Sequence, residues 1–318
     1  MRLTLLGPLV CLSLVNLGKC IRQAPSVART EPLQQAPSRE KLPEKKVFGI
    51  ETRRHCSKEP LESPEIIGGD LVQSGNKYPF LAWLGDEDGT GLAQFCGGTL
   101  ISDRVVLTAA HCVSSEDSVN KKMYVRFKLA DYGKEKGIER KVVNWQRHRQ
   151  FDRVSMFYDL ALLLLDEKIP ANVVEPVTLS DGSKPFEKGG NKTVSGWGST
   201  DDWCSQYDTL LREATFPMGG FAPQCQTGGS KSIGIAEDFN YTSQICAGQF
   251  APADRMHYPG CGDSGGPLMA KTRGGLIQVG IVSWTYGLPY PDVFTRVSAY
   301  RGWIHDTAAQ LERQGPKK

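Results

Sequence analysis

The chain has 318 residues, of which 40% are hydrophobic and 23% charged, a globular composition that excludes a coiled coil, a disordered tail and a multispan membrane protein. From Ile66 onward it has 27 basic and 28 acidic residues, so its electrostatics give no support to nucleic-acid binding. The small formal charge of +3 reflects the basic excess before Ile66.

Residues 1–20 predict a secretory signal peptide. One arginine, Arg2, precedes an apolar run of the length of a signal-peptide core, and this run is too short to span a bilayer. A buried N-terminal helix is the alternative, but Gly7, Pro8 and Gly18 interrupt the run. We therefore expect a secreted, extracellular protein that does not bind a membrane.

Two regions of different texture follow the signal. Residues 21–65 are rich in Pro, Gln, Glu, Lys and Arg without a periodic apolar pattern, which predicts a propeptide or linker. In residues 66–318, short apolar runs alternate with turn residues, which predicts an all-β barrel or sandwich. The segment VSAYRGWIHDTAAQL predicts one helix near the C-terminus because its apolar residues recur at helical spacing.

Three short segments carry residues suited to nucleophilic catalysis. GCGDSGGPL at 260–268 places a serine in a glycine-rich turn whose N–H groups are able to face a reacting carbonyl. LTAAHC at 107–112 presents a histidine, and YDLALLLL at 158–165 opens an apolar strand with an aspartate. Taken singly, each segment is more often a turn, a structural histidine or a solvated turn residue.

In this order and at these separations, the three segments resemble the trypsin and chymotrypsin family of serine proteases. Four supporting segments occur in the family's order: IIGG at 66–69, CGGTLIS at 96–102, SGWG at 195–198 and VSW at 282–284. The resemblance implies an all-β fold of two packed antiparallel six-stranded β-barrels, with the active-site cleft between them and a C-terminal helix.

The resemblance also implies a secreted serine endopeptidase with His111, Asp159 and Ser264 as its catalytic triad. A serine hydroxyl is a weak nucleophile, and imidazole is a base that titrates near neutrality. The N–H groups of Gly262 and Ser264 would bind the oxyanion, and Ser283 would support Asp159. Proteins or peptides are the expected substrates and protein protease inhibitors are expected partners.

Activation is expected to follow cleavage between Glu65 and Ile66, since the family pairs a new N-terminal ammonium with the aspartate before the catalytic serine, here Asp263. A glutamate before the cut implies an activating protease that accepts Glu65. No cofactor is expected. The segment 131–139 occupies the place of the calcium loop of some relatives but lacks a persuasive set of oxygen ligands, so no metal is expected.

Seven cysteines follow the predicted signal, and secretion makes disulfides their expected state. The resemblance implies the pairs Cys96–Cys112 and Cys225–Cys246. Gly260 occupies the position of the cysteine that braces the family's specificity pocket, so that bridge is missing. For the remainder, Cys204–Cys261 is favoured slightly over Cys56–Cys204.

The residue preference at the cleaved bond stays open. Trypsin-like members carry an aspartate at the pocket floor where this chain has Tyr258, whereas Asp292 stands where most relatives have a glycine. The carboxylate of Asp292 favours cleavage after Arg or Lys. Two residues oppose this preference: the Tyr258 hydroxyl would donate a hydrogen bond to Asp292, and Thr285 would narrow the entrance of the specificity pocket. The alternative is cleavage after small or medium apolar residues. The backbone from Ser283 through Trp284 to Thr285 would pair with an extended substrate.

The sequons that begin at Asn191 and Asn240 predict N-glycosylation.

The alternative function is an inert protease homologue that acts as a binding or regulatory protein. The missing pocket bridge and the odd cysteine count favour this alternative, whereas the retained triad opposes it.

Overall fold

The computed structural model describes residues 66, 69–87, 92–113, 122–187, 189–201, 204–217, 239–248, 258–285 and 292–316. The predicted signal peptide 1–20 and propeptide 21–65 lie outside the described residues and stay predictions, as does the domain boundary at residue 66.

The first half of the described chain forms a closed barrel of six antiparallel strands. The strands are β2 (Leu81–Glu87), β3 (Leu92–Leu100), β4 (Val105–Thr108), β5 (Met123–Phe127), β6 (Ile138–Arg147) and β7 (Ala161–Leu165). They pair in the order β2-β3-β4-β7-β6-β5. Strand β7 is buried at every position, which explains why its sequence is an unbroken apolar run, whereas β5 alternates buried and half-buried residues.

The second half, together with the N-terminal strand β1, forms an eight-stranded sheet. Its strands are β1 (Asp70–Leu71), β8 (Thr178–Leu179), β9 (Asn191–Gly196), β10 (Arg212–Pro217), β11 (Gln244–Ala247), β12 (Pro267–Thr272), β13 (Gly275–Thr285) and β14 (Asp292–Arg296). Six of them form the continuous path β10-β9-β12-β13-β14-β11, and the two-residue strands β1 and β8 add to β10 and β13. A second core lies on this sheet and includes Val194, Phe216 and Phe294.

Three one-turn helices and one longer C-terminal helix accompany these two units in the described residues. A 3-10 helix spans Ala110–Val113, α1 spans Lys184–Glu187, and a second 3-10 helix at Val297–Tyr300 leads into α2 at Arg301–Gln314. Helix α2 buries Ile304, Thr307 and Leu311. The expected all-β architecture with a C-terminal helix is confirmed. Of the two six-stranded barrels expected, the first is a closed six-stranded barrel, and the second unit is an eight-stranded sheet in the part of the chain that the structure describes. Within the described residues, no helix has the length and apolar character needed to cross a membrane.

A buried ion pair links α1 to strand β14. Arg296 Nη1 lies 2.6 Å from Glu187 Oε2, and both side chains are almost fully buried. Ser180 Oγ donates to the other carboxylate oxygen at 2.8 Å, and Arg296 Nη2 donates to the Gln244 carbonyl at 3.1 Å. The carboxylate and the guanidinium therefore each have a charged partner and a neutral one.

Replacing Glu187 with glutamine is expected to lower the free energy of unfolding by about 3–5 kcal/mol, because the buried Arg296 guanidinium loses its counter-charge. Denaturant unfolding of the purified protein measures the change. The exposed pair Lys168–Asp103 is the matched control, since Asp103→Asn is expected to cost at most about 1 kcal/mol. Equal effects of the two substitutions would contradict a stabilising role for the buried pair.

Candidate active site

His111 lies in the 3-10 helix that follows β4, next to a disulfide. Cys112 is bonded to Cys96 of β3, with a Cα–Cα distance of 6.2 Å, so the turn that carries the histidine is fixed to the barrel. The His111 side chain is 4% exposed. Its position is therefore set by the covalent link and by close packing.

Asp159 lies two residues before the buried strand β7 and is itself fully buried. Its Oδ1 accepts the backbone N–H of His111 at 2.9 Å, and its Oδ2 lies 2.8 Å from His111 Nδ1. Ser283 Oγ of β13 donates to the same Oδ2 at 2.6 Å. Because an ionised carboxylate only accepts hydrogen bonds, this arrangement places the proton on Nδ1 and leaves Nε2 as a base.

Ser264 lies in the glycine-rich turn before β12, against the segment that leads to His111. Its carbonyl oxygen accepts the N–H of Gly97 at 2.8 Å and lies 3.6 Å from the sulfur of Cys112. A side chain on Gly265 would overlap Thr108 Oγ1 and the Gly97 carbonyl oxygen, so only glycine permits this approach. The second-sheet turn thus brings Ser264 to the His111 turn of the barrel.

Asp263 is buried next to Ser264, and its carboxylate stabilises the turn that carries this serine. Its carboxylate accepts the N–H groups of Gly198 and Gly260, both at 2.8 Å. A Cβ on Gly196 or Gly198 would overlap this carboxylate, which explains both glycines of the SGWG segment. Burial raises the pKa of Asp263 to about 6, and the two amide donors offset this only in part.

Ile66, the predicted new N-terminus, is packed into the core of the second sheet and is 1% exposed. Its backbone has φ of 34°, which is unfavourable for a β-branched residue. The angle φ exists only while Ile66 is bonded to the preceding residue. Hydrolysis of that bond would therefore remove this constraint and create an ammonium group.

Two of the predicted pocket residues face each other across neighbouring strands, since Thr285 ends β13 and Asp292 begins β14. Asp292 begins β14, is 4% exposed, and stands in register with Thr285 on one side and Ala247 on the other. Tyr258 is 7% exposed. Trp284 is half-buried and follows Ser283. The same strand supplies Ser283, the partner of Asp159, and Thr285, the strand neighbour of Asp292.

The structure joins Cys204 to Cys261, with a Cα–Cα distance of 5.6 Å. This is the pairing favoured over Cys56–Cys204, and Cys56 lies outside the described residues. Cys246 is disulfide-bonded, but its predicted partner, Cys225, also lies outside them. Asn191 and Asn240 are both exposed, Asn191 at the start of β9 and not in a loop.

Protein groups already engage the carboxylates of the candidate calcium segment. Asp131 accepts a hydrogen bond from Thr209 Oγ1 and forms an ion pair with Lys134 at 2.9 Å. Glu135 accepts a hydrogen bond from the Ala130 N–H at 2.6 Å. Glu139 forms an ion pair with Arg126 at 2.8 Å. Near the catalytic candidate, ligand atoms of Cys96, His111 and Cys112 lie within 4.8 Å of one another. Because the two sulfurs are bonded to each other, they offer no thiolate to a metal.

Three residues at the site were missed by sequence reasoning. Thr295 Oγ1 donates to the Asp159 carbonyl at 2.8 Å, Gln94 Nε2 donates to the Gly262 carbonyl at 3.0 Å, and Ser199 Oγ accepts the N–H of Cys261 at 2.9 Å. No signal in the sequence marks Thr295. Gln94 and Ser199 adjoin the CGGTLIS and SGWG segments, so proximity to those motifs was the available signal.

Comparison with known proteins places the chain in a family. The family model described as Trypsin matches residues 66–304. The chain belongs to the trypsin family. The resemblance drawn from the motifs is therefore confirmed, and the serine-protease character of the family agrees with a site built from serine, histidine and aspartate.

Relatives of this trypsin-family chain carry different names. Trypsin 5G1 of Aedes aegypti is 33% identical over 250 residues, which cover 77% of this chain and 86% of that protein. Phenoloxidase-activating factor 1 of Holotrichia diomphalia is 30% identical, covering 77% and 70%. Tryptase of Mus musculus is 31% identical, covering 79% and 92%.

Proposed function

We propose that this chain is a secreted serine endopeptidase, made as a zymogen, with His111, Asp159 and Ser264 as its triad. The observation that carries the proposal is the hydrogen-bonded pair of Asp159 and His111 Nδ1 at 2.8 Å, beside the turn that bears Ser264. This pair leaves Nε2 free of its proton and directs the histidine as a base.

The proposed reaction proceeds through an acyl-enzyme. Ser264 Oγ attacks the carbonyl carbon of the scissile peptide bond while its proton moves to His111 Nε2. The tetrahedral oxyanion accepts hydrogen bonds from the N–H groups of Gly262 and Ser264. The C–N bond then breaks as His111 Nε2 returns the proton to the leaving amine. A water molecule then repeats the sequence on the acyl-enzyme and releases the acid. Asp159 stabilises the imidazolium in both halves.

Partners and setting follow from the same proposal. The substrates are proteins or peptides whose extended backbone pairs with β13 at residues 283–285, and protein protease inhibitors would bind the same edge. An activating protease that accepts Glu65 would process the precursor. Relatives named as a trypsin and as an activating factor support a protease. The sequons at Asn191 and Asn240 would then carry glycans.

Hydrolysis of a denatured protein tests the proposal against the inert-homologue alternative. Casein is incubated with protein cleaved after Glu65, and the release of new amino termini is measured. An endopeptidase releases peptides at a rate proportional to its concentration. An inert homologue would bind casein or ignore it, and the absence of new termini would contradict the proposal.

We propose further that Asp292 favours Arg or Lys at the cleaved bond. Replacing Asp292 with glycine is expected to lower kcat/KM for basic substrates by more than about tenfold, since loss of one member of a buried charge pair costs about 2–5 kcal/mol. A peptide library scanned with wild type, Asp292→Gly and Tyr258→Phe measures this preference. A wild type that prefers small apolar residues, or an unchanged basic preference in Asp292→Gly, would refute the assignment.

A further inference from the structure

The peptide bond between Cys261 and Gly262 has a fixed orientation. Its carbonyl oxygen, on Cys261, accepts the N–H of Ser199 at 2.7 Å. In a planar trans peptide the N–H points opposite to the carbonyl, so the Gly262 N–H is directed away from Ser199. That N–H is one of the two oxyanion donors in the proposed reaction, and its direction decides whether it meets the developing charge.

Contacts on both sides of this peptide hold it in place. On the Cys261 side, the N–H donates to Ser199 Oγ at 2.9 Å and the sulfur is bonded to Cys204. On the other side, the Gly262 carbonyl accepts Gln94 Nε2 at 3.0 Å. Gly262 has φ of 99°, and with no Cβ it is able to adopt many other backbone angles. The orientation therefore depends on these neighbours.

The segment to which Cys261 is tied is itself closed by hydrogen bonds. The N–H of Thr200 donates to the Gln206 carbonyl at 2.9 Å, and Asp201 Oδ1 accepts the N–H groups of Ser205 and Gln206 at 2.8 and 3.1 Å. Cys204 lies between these anchors and is 6% exposed. The disulfide thus connects the Cys261–Gly262 peptide to a braced loop.

The neighbouring glycine explains why the covalent brace sits at residue 261. A Cβ on Gly260 would overlap the Ser199 carbonyl oxygen and approach its Oγ. A cysteine at that position, where the family's pocket bridge begins, is therefore incompatible with the close packing of Gly260 on Ser199. A cysteine one residue later retains this packing and forms a bridge to the Ser199 loop instead.

We infer that the Cys204–Cys261 disulfide and the Ser199 side chain are positioning elements of the reaction, which hold the Gly262 N–H toward the oxyanion. This inference rests on the proposed function and deepens it. Without these elements, rotation of the peptide would turn the Cys261 carbonyl toward the site, where its partial negative charge would oppose the oxyanion. The pocket and the triad would remain in place.

Kinetics of three variants of the cleaved protein test the inference. The double variant Cys204→Ser/Cys261→Ser and the single variant Ser199→Ala are expected to lower kcat by about tenfold to a hundredfold, with KM changed less than about twofold. Affinity for a peptide aldehyde, which forms a hemiacetal oxyanion on Ser264, should fall in parallel, whereas affinity for the cleaved product peptide should not. Ser183→Ala, at an exposed serine outside the 199–206 loop and the 260–264 turn, is the control and should match wild type.

Hydrogen exchange gives a readout that does not depend on catalysis. Mass spectrometry should show faster exchange in the peptide that contains residues 258–264 for the double variant and for Ser199→Ala, but not for Ser183→Ala. If the double variant does not fold, Ser199→Ala alone carries the test. Equal kcat and equal exchange in wild type and Ser199→Ala would overturn the inference. Absence of turnover in wild type would instead contradict the proposed function.

Discussion

Replacement of Ser264 by alanine is expected to lower kcat by about a millionfold while the protein stays folded. The triad acts as a unit, so loss of the nucleophile removes nearly all of its contribution, and residual rate comes from substrate binding and the oxyanion donors. The contacts described for Ser264 are made by its backbone, with its carbonyl accepting the Gly97 N–H at 2.8 Å. The missing hydroxyl should therefore change stability by no more than about 0.5 kcal/mol.

Steady-state turnover of a peptide ester and thermal unfolding measure these two effects on the same preparation. His111→Ala should give a loss of similar size, and the double variant should lose little more, because the effects of the two residues do not add. Ser183→Ala, at an exposed serine, serves as the control. Activity of Ser264→Ala comparable to wild type would show that the nucleophile lies elsewhere.

Cleavage between Glu65 and Ile66 is expected to raise activity by about a hundredfold or more. In the intact chain, Asp263 is buried, and within the described residues its hydrogen bonds come from two backbone amides. An ammonium on Ile66 would supply the missing counter-charge and stabilise the turn that carries both oxyanion donors. N-terminal sequencing of the active form should begin at Ile66, and another terminus would refute this step.

The pH dependence of stability gives a separate check on Asp263. Burial raises its pKa to about 6 in the folded intact chain, against an unfolded value of about 4. The folded state binds the extra proton between these values, so the intact protein loses about 3 kcal/mol of stability as pH rises from about 4 to about 6. The ammonium of the cleaved form should lower the pKa of Asp263 and remove this loss.

Thermal unfolding from pH 4 to pH 8 measures the difference between intact and cleaved protein. Asp263→Asn in the intact chain is the control, because an amide does not titrate and its profile should lack the step between pH 4 and 6. If intact wild type and Asp263→Asn showed the same profile, Asp263 would not be the titrating group.

The fold and the candidate triad were readable from sequence because both leave local signatures. The apolar run at 161–165 is a strand buried on both faces, and Gly265, directly after Ser264, is required where the turn packs against Thr108. These constraints act on adjacent residues, so they appear as short motifs. The disulfide pattern was readable only in part, because pairing depends on distances between segments that are far apart in the chain.

The residues that contact and orient the candidate catalytic residues were less predictable, because their contacts also join segments that are far apart in the chain. Thr295 contacts the Asp159 carbonyl from a strand 136 residues away, and a threonine in a strand has no feature that marks this role. Ser199 and Cys261 meet across 62 residues, and the significance of their contact depends on the direction of one peptide plane. Tyr258 and Asp292, the proposed specificity residues, are both buried, and that burial is a property of the folded chain and not of either local sequence.

Reaction with a fluorophosphonate probe tests the central claim most directly. The protein is cleaved after Glu65, treated with the probe and digested, and the modified residue is located by mass spectrometry. The proposed triad predicts a single adduct on Ser264 in chains that begin at Ile66, with labelling lost in His111→Ala and far slower in the intact precursor. An adduct on another serine, or no adduct in the cleaved wild type, would contradict it.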